Sequence, residues 1–438
     1  MRDYLILFAQ THETFRKLEL EALAELEQVS VDMSDHSEES PLLVVSLESE
    51  DAAIRLTRRA ILVRSVFEVW GCGATLEELH EDMRRRTQDE WPKYKQESFR
   101  FDIISFQGSR TSSEQRQIME SFDFLDFQGP IRMRDAKHTF TVVEEYVPIP
   151  SADLSKSHHA LAKMWFGRHI ADGQRDIIAK YDLKKRHYIG TTSFDAELAL
   201  VSSNIGLAAP GKLVYDPFAG TGSFLVGAAH FGATVIGSDI DGRQIRGKPK
   251  RNITTNFKQY NISAHLLDTF VCDFTHCPLR PSLLLDAIIC DPPYGVREGL
   301  KVLGSRNKGR YADGQPTVLE NGDFSHLRAD YIPPKKPYHF DALLDDLVVF
   351  AAEHLVDRGR LCCWMPTAND KDEETGIPTH PELVLIGNCI QEFNKWSRRL
   401  LTYVRTPRGE LPTAPVERRT YNEQFRDKYF RGFAKPTT

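Results

Sequence analysis

No uninterrupted apolar run in this 438-residue chain approaches the roughly 18 residues that a bilayer-spanning helix needs, so a helical anchor is not expected. The seven cysteines include no C-x-x-C pair, and their number is odd. A disulfide framework and the usual structural-zinc spacing are thereby disfavoured, and a reducing compartment is expected. The opening MRDYLILFAQTHE has too short an apolar stretch for a signal peptide. Internal repeats are not evident. Nor is there an excess of one charge: 56 Lys and Arg face 62 Asp and Glu, for a net −6. Residues 1–150 hold 18 basic and 29 acidic side chains, or −11, which leaves +5 for the rest. A surface for a polyanion must therefore be local. With 41% hydrophobic residues the chain has enough apolar material for two or three cores, and the expectation is a soluble, cytoplasmic protein.

The alternation of elements divides the chain. YLILFAQ, ETFRKLELEALAEL, LLVVSL, residues 51–60 and ILVRSVFEVW read as strand, helix, strand, helix and strand. That order predicts a ferredoxin-like α+β domain over 1–75. A helix at EELHEDMRRR, a strand at SFRFDIISF, a serine-capped helix at SSEQRQIMESF and a strand at TFTVVEEYVPIP suggest a second module over 76–150. The two could also be one module. Residues 151–190 carry eight Lys or Arg, four Asp and interleaved aromatics, and read as a basic linker. Within it Arg168, Arg175, Lys184, Lys185 and Arg186 are the candidate RNA contacts; a solvated amphipathic linker is the plainer alternative. From Thr191 to 438, strands alternate with helices, which predicts a doubly wound parallel sheet with ligands at the strand C-terminal ends. A long polar insertion at 298–341 follows the fourth strand.

The chemistry sits at those strand ends. Asp216-Pro217-Phe218-Ala219-Gly220-Thr221-Gly222 closes the first strand. Gly220 and Gly222 allow a tight turn and close approach of a ligand. The third small residue of a dinucleotide fingerprint is missing, since Leu225 stands there. Asp216 would repel a pyrophosphate and suits a cationic amino group, which favours S-adenosyl-L-methionine. Asp239 ends the second strand, placed to accept from ribose hydroxyls, and Asp273 ends the third, placed to accept from an adenine amine. Asp291-Pro292-Pro293-Tyr294 ends the fourth. The Asp291 carboxylate and a backbone carbonyl held by Pro292 and Pro293 can accept both N–H bonds of an exocyclic amine, and Tyr294 can stack on its base. No metal is expected. Cys272 and Cys290 fall in apolar strands, where cysteine packs as a small hydrophobe.

At D-P-F-A-G-T-G, S-D-I-D and D-P-P-Y-G-V-R-E-G the sequence resembles the catalytic subunits of the eukaryotic tRNA guanine-N2-methyltransferases acting at nucleotide ten. The resemblance extends through D-L-K-K-R-H-Y-I-G-T-T-S-F-D-A-E-L-A at 182–199. F-Q-G-P-I-R-M at 127–133 looks like part of a THUMP RNA-binding domain. The family usually reads G-P-T-S where this chain has Gly190-Thr191-Thr192-Ser193. The resemblance implies a class I, Rossmann-like methyltransferase domain, S-adenosyl-L-methionine as cofactor, tRNA as substrate, and a heterodimer with a small zinc-binding activator subunit. The third strand, Leu266 to Cys272, is expected at a sheet edge, with Phe270 or Val271 facing that partner. Rival readings are another amino-methyltransferase, acting on DNA adenine or a protein glutamine, and a non-catalytic RNA-binding scaffold.

Overall fold

The computed structural model describes residues 1–149, 158–295, 300–304, 318, 322–328, 333–368, 376–394 and 396–410. It comprises two compact units, Met1–Asp176 and Ile177–Thr438. Among the described residues no helix is long and apolar enough to cross a membrane.

The first unit runs β1 (Arg2–Phe8), α1 (Glu13–Glu27), β2 (Leu42–Leu47), α2 (Glu50–Thr57), β3 (Val63–Gly73), α3 (Leu76–Thr87), β4 (Phe99–Phe106), α4 (Ser112–Glu120), β5 (His138–Ile149) and β6 (His158–Asp172). All six strands share one sheet, ordered β2-β1-β3-β6-β5-β4. Phe15, Leu20 and Leu23 form the buried face of α1, and the Glu19 carboxylate accepts from the Ile61 and Leu62 amides at 2.9 and 2.7 Å. Trp70, Phe140 and Phe166, from β3, β5 and β6, build a second core with Leu79, Met83 and Ile118 of α3 and α4. The cap of α4 is Thr111 rather than a serine, in a reciprocal box with Glu114.

Two expectations are corrected here. The boundary near residue 75 does not separate modules, in line with the one-module alternative, because β3, which ends at Gly73, pairs with β1 before it and with β6 after it in one continuous sheet. The basic linker is also displaced. Its middle is β6, paired with β3 on one side and β5 on the other, with Met164, Trp165 and Phe166 buried. Arg168 is consequently no RNA contact. It is buried, donating to Glu68 at 3.0 Å and to Glu50 at 2.6 Å, with its guanidinium 5.5 Å from the Tyr94 ring centre. Glu68 also accepts from Arg2 and from the Trp70 indole. Arg175 is turned inward as well, its Nη1 donating to the Ile61 carbonyl at 2.7 Å.

In the second unit come α5 (Ile177–Tyr181), α6 (Ala196–Ile205), β7 (Leu213–Asp216), α7 (Ser223–His230), β8 (Thr234–Asp239), α8 (Gly242–Arg246), α9 (Ile253–Gln259), β9 (Leu266–Val271) and β10 (Leu285–Cys290). A small pair, β11 (Lys301–Leu303) with β12 (Lys335–Pro337), precedes α10 (Phe340–His354), β13 (Leu355–Ala368), β14 (Leu383–Glu392) and β15 (Trp396–Arg405). Half of the 298–341 insertion lies outside the described residues. The large sheet is ordered β14-β15-β13-β10-β7-β8-β9. Its β13, β10, β7, β8 and β9 are parallel, and β15 is antiparallel to both neighbours. Chain order reverses between β7 and β10, so a crevice opens beyond their C-terminal ends. Ile288, Leu344, Leu347, Leu361 and Leu401 pack α10 against the sheet. On the sheet, Trp364 of β13 donates to Ser202 of α6 at 3.1 Å.

Replacing Arg168 with Ala takes one of two guanidiniums from the buried Glu68 and leaves it Arg2 and the Trp70 indole. The expected loss is about 3 kcal/mol of stability, measured by urea unfolding of the full chain, with the tRNA affinity of the folded fraction unchanged.

Candidate active site

The short strand β7 delivers Asp216 to the end of the sheet, where it is 1% exposed. Its Oδ1 accepts the Phe218 amide at 3.0 Å. Its Oδ2 is buried and has no partner. Burial drives this carboxyl well above its ordinary value, and the charges of Asp239 and Asp291 push the same way. The turn that follows depends on two glycines in the left-handed region, Gly220 at φ +52° and Gly222 at φ +84°. A Cβ on Gly222 would also sit 3.3 Å from Ile253. This geometry aims the Gly220 amide at Asp239 Oδ2, 2.9 Å away, while the Asp241 amide donates to Oδ1 at 2.8 Å. Burial still outweighs these two amides, so the Asp239 carboxyl is raised. Phe218 packs beside Phe274, their ring centres 5.2 Å apart.

At the end of β10, burial lifts the Asp291 carboxyl to about 6, against the opposing pull of Arg398 and the Tyr294 hydroxyl. That hydroxyl donates to Asp291 Oδ1. Pro292 is buried and Pro293 exposed, which holds the turn rigid between core and solvent. The Tyr294 ring meets Phe340 and Trp396 edge-on at 6.0 and 6.5 Å. Asp216, Asp239 and Asp291 therefore share one water-poor strand-end region.

Three further expectations change. Asp273 is close by but already engaged. Its oxygens accept from the Thr275 amide and hydroxyl, each at 3.0 Å, from the Leu303 amide at 2.7 Å, and pair with His276 at 3.2 Å. Two carboxylate oxygens offer about four acceptor sites; three are taken by N–H and O–H donors and His276 competes for the fourth, which leaves little for an adenine amine. Arg186 is buried and donates to Ser223 at the start of α7 at 2.9 Å, so it braces the glycine turn instead of reaching RNA. On β9, Phe270 packs against the α10 core while Val271 is 48% exposed, so only Val271 of the two is available to a partner. Lys184 and Lys185 are exposed, although Lys185 Nζ donates to the Ala179 carbonyl at 2.6 Å.

The sequence reading missed Arg398. It lies on β15, above the rings of Phe194, Trp364 and Phe393, and supplies the cation that Asp291 feels. It also missed Ser193, whose Oγ accepts from the Gly190 amide at 2.8 Å and bonds Thr221 at 2.7 Å, tying the G-T-T-S segment to the glycine turn. An arginine beside a tryptophan at the start of an apolar strand was the available signal for Arg398. Among the described residues no group of three or more His, Cys, Asp or Glu could hold a metal ion.

The donors and acceptors fit S-adenosyl-L-methionine. The orphaned Asp216 oxygen suits its ammonium, and the glycine turn admits its close approach. Fold and site together define a Rossmann-like methyltransferase carrying an N-terminal THUMP domain. The Tmrp11 THUMP N-terminal domain family matches residues 2–175, and the RMKL-like methyltransferase domain family matches 184–303. The tRNA (guanine(10)-N(2))-methyltransferase of Saccharomyces cerevisiae is 46% identical, over 99% of this chain and 100% of that one. The Schizosaccharomyces pombe enzyme of the same name is 38% identical over 98% and 96%. Human tRNA (guanine(10)-N(2))-methyltransferase TRMT11 is 34% identical over 99% and 96%. The chain belongs to this tRNA (guanine(10)-N(2))-methyltransferase family.

Asp216 is held at a cost in stability. Its folded pKa lies above the unfolded value, so the penalty is present at neutral pH and vanishes below about pH 4. Asp216→Asn keeps the acceptor for Phe218 and removes the charge. It should raise the melting temperature at pH 7 by about 2–4 °C, the shift that 1 kcal/mol gives in a unit of this size, and leave it unchanged at pH 3.5. Scanning fluorimetry at the two pH values reads both outcomes.

Proposed function

We propose that the chain transfers a methyl group from S-adenosyl-L-methionine to the exocyclic N2 amine of a guanine in tRNA, at nucleotide ten. The observation that carries this reading is the half-buried Asp291-Pro292-Pro293-Tyr294 turn, set beside an unpaired Asp216 oxygen in a methyltransferase sheet. The activities of the full-length relatives supply the nucleotide.

The cofactor supplies an electrophilic methyl group. Asp216 holds a cationic amino group, and Asp239, already preset by two amides, accepts from ribose hydroxyls with its remaining lone pairs. Phe218 and Phe274 supply apolar surface. The target amine is a poor nucleophile, because its lone pair is delocalised into the ring. Asp291 and the Pro292 carbonyl accept its N–H bonds and orient that lone pair, and Tyr294 stacks on the base. Proximity and orientation supply much of the rate. Alkylation makes the amine proton acidic, and Asp291 is the acceptor within reach; a carboxyl near 6 is ionised at neutral pH yet basic enough to take it. A guanine inside a helix has to leave its stack to enter this pocket.

Modified-nucleoside mass spectrometry of tRNA, after incubation with the protein and labelled cofactor, should show N2-methylguanosine. Asp291→Ala should reduce its formation at least about 100-fold with cofactor affinity retained. The wild-type single-turnover rate should fall roughly tenfold per unit as pH drops below about 6. Near wild-type methylation by Asp291→Ala overturns the assignment.

The same reading includes a small zinc-binding activator subunit on β9 and a cytoplasmic location, in keeping with seven cysteines that form no disulfide. β9 ends the sheet and shows Leu267, 61% exposed, beside Val271. An open apolar edge invites aggregation, and an added strand would cover it. Val271→Lys should release the activator in a pull-down while circular dichroism stays native. Phe270→Lys should unfold the unit, because that ring packs inward.

A further inference from the structure

A cavity of about 380 Å³ opens on the methyltransferase unit between two chain segments. His187, Tyr188 and Ile189 form one wall; Arg243, Gly247, Lys248 and Arg251 form the other. The second wall belongs to the segment 242–251, GRQIRGKPKR, which has five cations and no acid. Arg243 is neutralised by Asp241, at 2.9 and 3.0 Å. Arg246, Lys248, Lys250 and Arg251 are exposed and make no ion pair among the described residues. In a chain of net −6, this is a concentration of uncompensated positive charge.

The frame beneath these cations is fixed. Lys248 and Arg251 close a turn with mutual backbone bonds of 2.8 and 2.9 Å. Gly247 at φ +54° permits it, since a Cβ there would lie 2.4 Å from the Arg251 carbonyl. Arg251 Nε donates to the His187 carbonyl at 3.2 Å. Tyr188 exchanges hydrogen bonds with Asn256, both at 2.8 Å, and its hydroxyl donates to the Gln244 carbonyl at 2.7 Å. Gln244 also joins this cavity to the active site. Its side-chain oxygen would lie 3.4 Å from a Cβ on Gly220 and 3.7 Å from one on Gly190. Gln244, whose carbonyl holds the cavity-lining Tyr188, thus lies between the cationic cavity and the glycine turn.

We infer that this cavity is a phosphate-binding site for the RNA substrate, gripping the strand beside the nucleotide being methylated. The inference rests on the tRNA reading above and extends it to residues outside the catalytic turn. Cations on a rigid frame lose little entropy on binding, and their charge attracts a polyanion without reading its sequence. The volume is at the small end of ligand pockets, suited to a phosphate with its sugar, and the Tyr188 and Ile189 side chains give the sugar an apolar surface. Lys184 and Lys185 extend the positive surface along the chain, anchored through the Gln259 contacts to Lys185 and His187 at 2.7 and 2.9 Å.

The test uses the full chain with Lys248→Ala/Lys250→Ala, which leaves Arg251 and the frame intact. Fluorescence anisotropy across a salt series should show tRNA affinity reduced about tenfold at low salt. The slope of log K against log salt should flatten by about 0.7–0.9 for each phosphate no longer neutralised. The KM for tRNA should rise while kcat at saturating tRNA stays within twofold and S-adenosyl-L-methionine affinity is unchanged. Lys248→Glu/Lys250→Glu should weaken binding further. A folded double variant with wild-type slope and affinity overturns the inference, as does a variant altered only in its binding of inorganic phosphate. Wild-type protein that binds tRNA without methylating it would instead refute the proposed reaction, and the salt slopes would still decide the surface.

Discussion

Three carboxylates gathered where water is scarce set the terms for the methyltransferase unit. Asp216, Asp239 and Asp291 end β7, β8 and β10, and burial raises all three. Like charges in a low-dielectric region repel strongly, so each needs its own relief. Asp239 takes two amides, one of which exists only because Gly220 adopts the left-handed region. Asp291 has a tyrosine hydroxyl and the field of Arg398. Asp216 has one amide and an oxygen without a partner. The relief is graded, and the least relieved group is the one that a cationic ligand completes. Binding energy for such a ligand is stored in the protein as instability.

That arrangement explains features otherwise unrelated. The antiparallel β15 lies beside β13 and brings Arg398 and Trp396 to the same strand-end region as Asp291 and Tyr294. Arg398 is enclosed by Phe194, Trp364 and Phe393 and bonded to Gln391, so its charge acts from a fixed position. Arg186 and Ser193 brace the glycine turn from outside, at Ser223 and Thr221. The turn must stay rigid, because movement of Gly220 would take its amide from Asp239.

The parallel strands β7, β8, β9 and β10 were legible in the sequence because each is a short run with aspartate at or just past its end, and the apolar continuity that burial gives β7, β8 and β10 needs no long-range information. The site residues on those ends were legible for the same reason. What the sequence concealed depends on partners far along the chain. Arg168 resembles an RNA contact until Glu68, 100 residues earlier, is brought against it by β3–β6 pairing. Asp273 looks available until the Leu303 amide arrives. Arg398 reads as a surface cation on a late strand because the carboxylate it serves is more than a hundred residues upstream. Strand β14 was missed too: its VLIGNCIQE has Gly and Asn in the middle, which weakens any strand signal.

Counting charges therefore misdirects, and compensation is the better guide. The first unit is rich in arginine, yet Arg2, Arg86 and Arg168 are all spent on nearby carboxylates. Such cations stiffen the fold, and their attraction for a polyanion is largely cancelled at the distance of a Debye length, about 8–10 Å. The segment 242–251 is different in kind. Its one neutralised arginine faces Asp241; Arg246 ends α8, and Lys248, Lys250 and Arg251 follow on a turn that keeps them close despite their mutual repulsion. Like charges kept close by a built frame cost stability in the free protein, and a polyanion removes that cost on binding. The same logic governs Asp216 with the sign inverted: both places hold charge that the fold leaves unanswered, negative toward the methyl donor and positive toward the strand that receives the methyl group.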